Sequence, residues 1–274
     1  MKRALLLSLL LILPLGARAE VALLIHGYLS SAATWELSGV NAALRADGWR
    51  LAGNFAYSPN GLVERPFPGA EKSHKLFYTV DLPSLAPALV QAAWLEAAVQ
   101  RIQARHPREK LTLVGHSAGG VVARLLLVRY GKGKVHRLVT IAAPHLGTHR
   151  AVQALDAVDD GGLFGPIKEW IVRNEIGSGL YRTLKLSRGI LFDLVPPAPG
   201  TLLWWLNGQP HPKIEYVSVI RSAGFFIAGD LLVPPFSQDM NRVPALRGRS
   251  KVYVTPQGHQ LTPADGLLLA RILR

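Results

Sequence analysis

The segment that most constrains the fold is 111–124, because it joins a short apolar run to a helix-like run without a linker. Between the two lies Gly115-His-Ser-Ala-Gly119, a Gly-x-Ser-x-Gly pattern. In that context the pattern is typical of a nucleophile elbow, a sharp turn from strand to helix that exposes the hydroxyl of Ser117. The glycines are required because side chains would clash across the turn. The alternative is an ordinary glycine-rich turn.

Around this elbow, apolar strand-like segments alternate with helix-like segments. The predicted strands are 21–25, 50–57, 75–80, 110–114, 135–142, 214–220 and 251–254, and the predicted helices are 31–46, 87–106, 117–130 and 263–273. This alternation predicts an α/β fold, with a mostly parallel sheet covered by helices on both faces. It pauses over 148–212, which is too long for a simple connection. We expect that interval to be a helical cap or lid inserted into a single domain.

The first nineteen residues are typical of an export signal. Lys2 and Arg3 precede an apolar run over 5–15, and Ala17-Arg-Ala19 forms a small-x-small cleavage site. The run is shorter than the roughly 20 residues that span a membrane, so an uncleaved anchor is the lesser alternative. We therefore predict cleavage after Ala19, a catalytic domain over 20–274, and a periplasmic or secreted bacterial protein. The absence of cysteine suits an exported domain whose core needs no disulfides.

The chain is strongly basic, with a formal net charge of +13 that falls to +10 when Lys2, Arg3 and Arg18 leave with the signal. A solvated basic surface explains this charge, and so does peripheral attraction to an anionic membrane or envelope polymer. Nothing in the pattern predicts nucleic-acid binding. The basic residues are scattered rather than grouped: Arg101, Arg105, Arg108, Lys110, Lys132, Lys134, Arg137, Arg242, Arg247, Arg249 and Lys251.

A serine hydroxyl becomes a strong nucleophile only when a histidine accepts its proton and an acid orients that histidine. On an elbow of this kind the partners follow in the order serine, acid, histidine. The histidines after Ser117 are His136, His145, His149, His211 and His259. We favour His259, since it alone lies in a short glycine-containing loop between the last predicted strand and the final helix.

The favoured acid is Asp230, in Gly229-Asp-Leu-Leu-Val-Pro234 between the strand at 214–220 and the His259 loop. The other candidates are Asp239, Glu215 and Asp193, and the non-catalytic alternative for Asp230 is a Gly-Asp turn. Two backbone N–H groups must also receive the oxyanion of a tetrahedral intermediate. We predict those of Ala118, after the nucleophile, and of Tyr28, after His26-Gly27.

With these motifs the chain resembles the α/β-hydrolase superfamily, and within it the bacterial triacylglycerol lipase and esterase group. The matching pieces are Leu24-Ile-His-Gly27, 113–124, Val139-Thr-Ile-Ala-Ala-Pro-His-Leu-Gly147, Phe192-Asp-Leu-Val-Pro196, Leu203-Trp-Trp-Leu-Asn207 and 229–234. The resemblance implies a serine carboxylester hydrolase without cofactor, acting on an acyl ester or lipid. It assigns Ser117, Asp230 and His259 to the triad, and Tyr28 and Ala118 to the oxyanion hole.

Some features remain open at this stage. Many such lipases bind calcium, but no ligand set can be matched here, and we expect Asp239 and Asp265 to be surface carboxylates. The apolar residues of the insertion could line an acyl pocket, form a lid, or simply pack: Trp204, Trp205, Phe164, Trp170, Leu202 and Leu203, with Phe225 and Phe226 near Asp230. The same triad would serve an acyltransferase, thioesterase or amidase, and a non-catalytic envelope-binding protein is the alternative of another class.

Overall fold

The structure is a computed structural model that describes residues 20–70, 73–159, 177–222 and 230–274. Its strands are β1 Glu20–Ile25, β2 Arg50–Ser58, β3 Gly61–Pro66, β4 Lys75–Asp81, β5 Lys110–His116, β6 Val135–Ile141, β7 Glu215–Arg221 and β8 Ser250–Thr255. Its helices are α1 Ala33–Leu37, α2 Val40–Ala46, α3 Ala88–Arg105, α4 Ala118–Tyr130, α5 His149–Ala157, α6 Ser178–Leu186, α7 Arg188–Asp193, α8 Leu202–Gly208, α9 Pro235–Gln238 and α10 Pro263–Ile272.

The strands form one sheet in the order β3-β2-β4-β1-β5-β6-β7-β8. Every neighbouring pair is parallel except β2 and β3. The central strands β1 and β5 are buried along almost their whole length, as expected when helices cover both faces of a parallel sheet. The predicted α/β-hydrolase class, a mostly parallel sheet with helices on both faces, is confirmed.

The helices bury two apolar layers, one on each side of the sheet. On one side α3 and α4 contribute Leu95 and Val121 to a core that also contains Leu113 of β5. On the other side Trp35 and Leu269, from α1 and α10, pack against alternate residues of the same strands. Because α4 is buried almost all round, it forms the interior support of the elbow that precedes it.

Strand β3 lies between the predicted strands 50–57 and 75–80, where the sequence pattern predicts none. Gly61–Pro66 pairs antiparallel with β2 at the edge of the sheet, and its side chains are half-buried or exposed. An edge strand buries neither face fully and tolerates glycine and proline at its ends. Its composition therefore resembles that of a loop.

The predicted helix 31–46 is two helices, α1 and α2. Gly39 separates them with a φ of 78°, a left-handed conformation that interrupts a right-handed helix and that glycine adopts without steric cost. The chain changes direction at this point, so α2 can lie against α10 on the face of the sheet that contains Trp35.

The described part of the insertion is helical, as expected. Helices α5, α6, α7 and α8 all lie between β6 and β7, whereas 160–176, with Phe164 and Trp170, are outside the described residues. The leader 1–19 and Phe225 and Phe226 are outside them as well. Among the helices that are described, none is long and apolar enough to cross a membrane.

The close contact between α10 and α2 depends on Gly266. A Cβ at this position would lie 2.6 Å from Ala43 Cβ and 2.8 Å from Val40 O. We expect Gly266→Ala to lower the free energy of unfolding by about 1–3 kcal/mol through overpacking, as measured by denaturant titration. Gly179→Ala in α6 is the matched control, because its Cβ meets nothing within 4 Å, and it should unfold at the same or higher denaturant concentration. Equal effects of the two substitutions would contradict this account of the packing.

Candidate active site

The elbow is formed as the sequence predicts, with Ser117 between the end of β5 and the start of α4. Its φ of 51° and ψ of −129° are unusual for a residue with a side chain. Such a backbone persists only when its surroundings hold it. Here the Ser117 N–H donates to Ile141 O at 2.9 Å, which ties the turn to the neighbouring strand β6.

Three glycines allow the surrounding backbone to approach this turn. A Cβ on Gly119 would lie 2.3 Å from His26 O, and one on Gly120 would lie 2.6 Å from Ala143 Cβ. A Cβ on Gly27 would lie 2.8 Å from Ser117 Cβ. The start of α4 therefore fits between the ends of β1 and β6 only without these side chains, and the Ser117 hydroxyl projects over the loop after β1.

The structure brings together the three side chains predicted for a triad. Ser117 Oγ lies 2.9 Å from His259 Nε2, and His259 Nδ1 lies 2.6 Å from Asp230 Oδ2. The three residues come after β5, β7 and β8, at the carboxyl ends of parallel strands, where ligand sites of open α/β sheets lie. Since a carboxylate only accepts hydrogen bonds, His259 Nδ1 carries the proton. Its Nε2 is then free to accept the proton of the Ser117 hydroxyl.

The Asp230 side chain is fully buried, with 0% of its surface exposed. Burial by itself would raise its pKa, but the hydrogen bond and charge of His259 oppose this, as do the N–H groups of Val233 and Leu232, and the pKa is lowered. The two backbone groups donate to Oδ1 at 2.9 and 2.8 Å. Asp230 is therefore held as an anion that can stabilise an imidazolium on His259.

Gln238, in α9, is a further partner of Asp230 that the sequence analysis missed. Its Nε2 donates to Asp230 Oδ2 at 3.0 Å and to Val233 O at 2.7 Å, and its Oε1 accepts from Arg221 N at 2.7 Å. The buried amide thus fixes the carboxylate against the end of β7. Nothing in the local sequence marks this glutamine, because its role depends on where α9 packs.

His116, which precedes Ser117, is hydrogen-bonded to the loop that carries His259. Its Nε2 lies 2.8 Å from His259 O, so Nε2 carries the proton and donates it to that carbonyl. Burial, together with the charge of His259, lowers the pKa of His116 to about 3. The ring is therefore neutral at ordinary pH and places no second positive charge beside His259.

The two predicted oxyanion donors belong to the two segments that meet at the serine, the start of α4 and the loop after β1. Ala118 is the first residue of α4, and the first N–H groups of a helix have no partner within it. Tyr28 follows Gly27 and lines the cavity in front of Ser117. Its hydroxyl lies 2.7 Å from Ser187 Oγ, between α6 and α7, so the insertion holds the loop that carries the second donor.

A cavity of about 420 Å³ opens in front of the serine. Ser117, His259 and Tyr28 line it together with apolar side chains from the insertion, including Leu191 of α7 and Leu194. A largely apolar cleft with few polar groups at one end is typical of sites for small organic ligands. The apolar side chains of the insertion thus form a wall of the cavity that Ser117 also lines.

Trp204 and Trp205, for which the sequence leaves an acyl pocket, a lid and packing open, do not line the cavity in front of Ser117. Trp204 and Trp205 line a separate cavity of about 470 Å³ beside Pro197 and Arg242, and Trp204 remains 55% exposed. Leu203 is in the buried core, and Leu202 packs against it. Of the alternatives that the sequence leaves open, lining the pocket of Ser117 does not apply to Trp204 and Trp205, since they line another cavity, and packing applies to Leu202 and Leu203.

The other acids considered have structural partners. Asp193 accepts from Ala88 N at the start of α3, and Glu215 pairs with Arg137 and Lys251. The other histidines considered from the sequence are likewise placed away from the Ser117 hydroxyl bond. His145 bonds Thr140 and His136 bonds Leu111 O, whereas His211 bonds Gln209 O and His149 begins α5.

The expectation that Asp265 is a surface carboxylate is wrong. Its side chain is buried, 2.7 Å from Arg221 Nη1, and it closes the capping box of α10 with Thr262. Asp239 is half-buried and accepts from Asn241 N. Within the part of the chain that the structure describes, no group of three or more histidine, aspartate or glutamate residues could hold a metal ion.

The buried neutral state of His116 makes stability depend on pH. Because its pKa is about 3 in the folded chain and 6.5 ordinarily, only the unfolded chain takes up this proton as the pH falls below 6.5. Its contribution to stability is therefore lost progressively between those values, by about 2 kcal/mol from pH 6.5 to 4.5. Denaturant unfolding of His116→Asn should show a correspondingly shallower pH dependence than the parent. Parallel curves would contradict the assignment.

Removing the Gln238 amide should weaken the site without unfolding it. In Gln238→Leu, Asp230 loses a donor, so its pKa rises and it stabilises an imidazolium less well. We expect kcat for an ester to fall about tenfold with KM little changed, since the loss of one hydrogen bond to a charged group costs about 1.5 kcal/mol. Gln100→Leu, on the exposed face of α3, is the control. A change in KM alone would contradict the positioning role.

Comparisons with known proteins agree with this architecture. The family model described as the PGAP1-like alpha/beta domain matches residues 20–157. Among solved structures, a lipase of Bacillus licheniformis in its mature form is similar at 16% identity and a TM-score of 0.61, over 94% of this chain and 93% of that one. The product of the gene lin2722 of Listeria innocua is similar at 16% identity and 0.57, over 88% and 85%.

An esterase of Exiguobacterium antarcticum is similar at 14% identity and a TM-score of 0.51, over 93% of this chain and 91% of that one. The α/β-hydrolase fold expected from the resemblance is thereby confirmed. At these identities the solved structures bear on the fold alone. No curated protein matches the sequence.

Proposed function

The chain belongs to the PGAP1-like α/β domain family, and on that premise we propose that it is an exported serine hydrolase that cleaves carboxylic esters of acyl groups. The observation that carries the proposal is the hydrogen-bonded series Ser117, His259 and Asp230. An accessible serine, a histidine in the required tautomer and a buried anion together favour acyl transfer through a covalent intermediate. The similarity to a lipase and an esterase in fold agrees with this chemistry.

The proposed reaction begins when Ser117 Oγ attacks the ester carbonyl while His259 Nε2 accepts its proton. Asp230 stabilises the resulting imidazolium, and the Tyr28 and Ala118 N–H groups donate to the oxyanion of the tetrahedral intermediate. As the intermediate collapses, His259 returns the proton to the leaving alcohol, and the acyl group stays on Ser117. Water then attacks this acyl-enzyme with His259 as base, and His259 gives that proton to Ser117 Oγ as the acyl–oxygen bond breaks and the free acid leaves. Each proton transfer uses groups of the chain itself.

The apolar walls of the cavity support an acyl group as the part of the substrate nearest the serine. Leu191 and Leu194 offer an apolar surface without a competing donor. Lipase, esterase, thioesterase, amidase and acyltransferase reactions share the steps on the acyl side, and they differ in the leaving group and in the acceptor of the acyl group. We propose ester hydrolysis because the family's structural neighbours include a lipase and an esterase.

Export and contact with lipid are parts of the same proposal. The leader 1–19 supports a periplasmic or secreted location, and the net charge of +10 that remains after its removal supports peripheral attraction to an anionic membrane. Neither is needed for the chemistry at Ser117.

The test is hydrolysis of p-nitrophenyl esters from acetate to palmitate by the purified chain without its leader. Ser117→Ala should lower kcat by at least about 10³-fold, because removal of the nucleophile ends covalent catalysis. Ser73→Ala, before β4 at the amino ends of the parallel strands and therefore opposite to the site, should match the parent. The chain length with the highest kcat/KM separates a lipase from an esterase.

Two results would overturn the proposal. One is that no ester of any chain length is cleaved, which would favour the non-catalytic alternative. The other is that Ser117→Ala retains the parent rate. Product analysis with glycerol or a lysolipid present would detect acyl transfer in place of hydrolysis.

A further inference from the structure

The cavity in front of Ser117 contains one fixed positive charge. Of the described residues that line it, Arg150 is the only Lys or Arg, and none is Asp or Glu. Arg150 is the second residue of α5 and is exposed to solvent at the cavity. A guanidinium in a cleft that is largely apolar and has no other charged lining residue among those described has to be explained by a partner or by a ligand.

The partners of Arg150 within the described chain are neutral. Its Nε donates to Leu231 O at 3.2 Å, and its Nη1 donates to Gln153 Oε1 at 3.0 Å. No ion pair joins it to a carboxylate among the described residues. A guanidinium has five N–H donors, so several remain for a ligand, and no carboxylate of the described residues compensates its charge.

The first turn of α5 adds to the same field. Thr148 caps this nine-residue helix by accepting from Arg150 N at 3.2 Å, and both Thr148 and Ala151 line the cavity. The N-terminus of a helix carries a partial positive charge and stabilises anions near it. Arg150 and the helix terminus therefore present positive potential from one wall.

We propose that the ester cleaved at Ser117 carries an anionic oxygen group, a phosphate or a carboxylate, that binds Arg150. The inference rests on the proposed function and specifies its substrate class. A guanidinium matches both anions, since it donates two parallel hydrogen bonds to a pair of oxygens. The basic net charge of the chain attracts such substrates to the cleft from solution.

Arg150 also makes a structural contact, and the experiment must distinguish the effect of losing this contact from the effect of losing anion binding. Its bond to Leu231 O reaches the loop that begins at Asp230. That loop has other attachments, because Thr148 Oγ1 donates to Leu232 O and Asp230 itself accepts from Leu232 N and Val233 N. A purely bracing role would affect every substrate equally, whereas recognition affects only the anionic ones.

The experiment compares matched pairs of esters with the chain lacking its leader. One pair is p-nitrophenyl butyrate and mono-p-nitrophenyl succinate, which differ by a carboxylate in the acyl part. The other is a monoacylglycerol and its phosphate monoester, which differ by a phosphate in the alcohol part. We expect Arg150→Gln to lower kcat/KM about 10- to 100-fold for an anionic member, the effect of losing a charge-assisted bond. The neutral member should change by no more than about twofold.

Two further variants control the comparison. Arg150→Lys keeps the positive charge but loses the planar pair of N–H donors, so it should retain part of the preference for the anionic ester. Arg129→Gln, exposed at the end of α4, removes the same charge elsewhere and should leave the ratio within each pair unchanged. Selective loss in the succinate pair locates the anion in the acyl part, and selective loss in the phosphate pair locates it in the alcohol part.

The outcomes distinguish this inference from the proposed function. One outcome is that neutral esters are cleaved in a Ser117-dependent manner but Arg150→Gln leaves the ratio of kcat/KM for the anionic and neutral members unchanged in both pairs. The proposed substrate class is then wrong, whereas the proposed hydrolase function is still supported. Equal losses of kcat/KM for both members of both pairs would also overturn the proposed substrate class, because they would show that Arg150 acts only through its structural bond to Leu231 O. If neither neutral nor anionic esters are cleaved, the proposed function itself fails.

Discussion

The site depends on the backbone of Ser117, which must keep a positive φ where β5 gives way to α4. That conformation is unfavourable for a residue with a side chain, and it is maintained because the start of α4 is enclosed by the ends of β1 and β6. Gly119 and Gly120 make this enclosure possible, since any Cβ would overlap neighbouring strands or loops. The parallel sheet therefore does more than carry the serine. Its close packing stores the strain that exposes the hydroxyl and leaves the Ala118 N–H free.

A second set of contacts fixes the histidine and the acid relative to that serine. Asp230 is held by two backbone N–H groups and by Gln238, and Gln238 is itself anchored to Arg221 at the end of β7. Arg221 in turn forms a buried ion pair with Asp265 at the start of α10. Burying such a pair costs desolvation free energy, so we attribute to it the positioning of these two elements and not a gain in stability. The ion pair joins the end of β7 to the start of α10, which directly follows the loop that carries His259.

How far the sequence predicts this arrangement depends on whether a signal is local. The elbow, the strand order along the chain and the positions of Asp230 and His259 follow from short motifs and from periodicity. The edge strand β3 was missed because its partly exposed face removes the apolar pattern, and the break at Gly39 was missed because helices tolerate an isolated glycine in their pattern. Gln238, Arg150 and the neutral role of His116 depend on packing between distant segments, which no local pattern encodes. The role of the tryptophans stays open at the level of sequence for the same reason, since a pocket, a lid and packing all suit their composition and only the tertiary fold shows which cavity they line.

The central claim is that Ser117 attacks a carbonyl whose oxygen is then held by the Tyr28 and Ala118 N–H groups. The most direct measurement is a crystal structure of the chain after reaction with an alkyl fluorophosphonate, whose phosphoryl group imitates the tetrahedral intermediate. We expect phosphorus bonded to Ser117 Oγ, with the phosphoryl oxygen about 2.7–3.1 Å from both backbone nitrogens and His259 Nε2 beside the leaving-group position. An adduct on another residue, or a phosphoryl oxygen directed away from Tyr28 and Ala118, would contradict the claim.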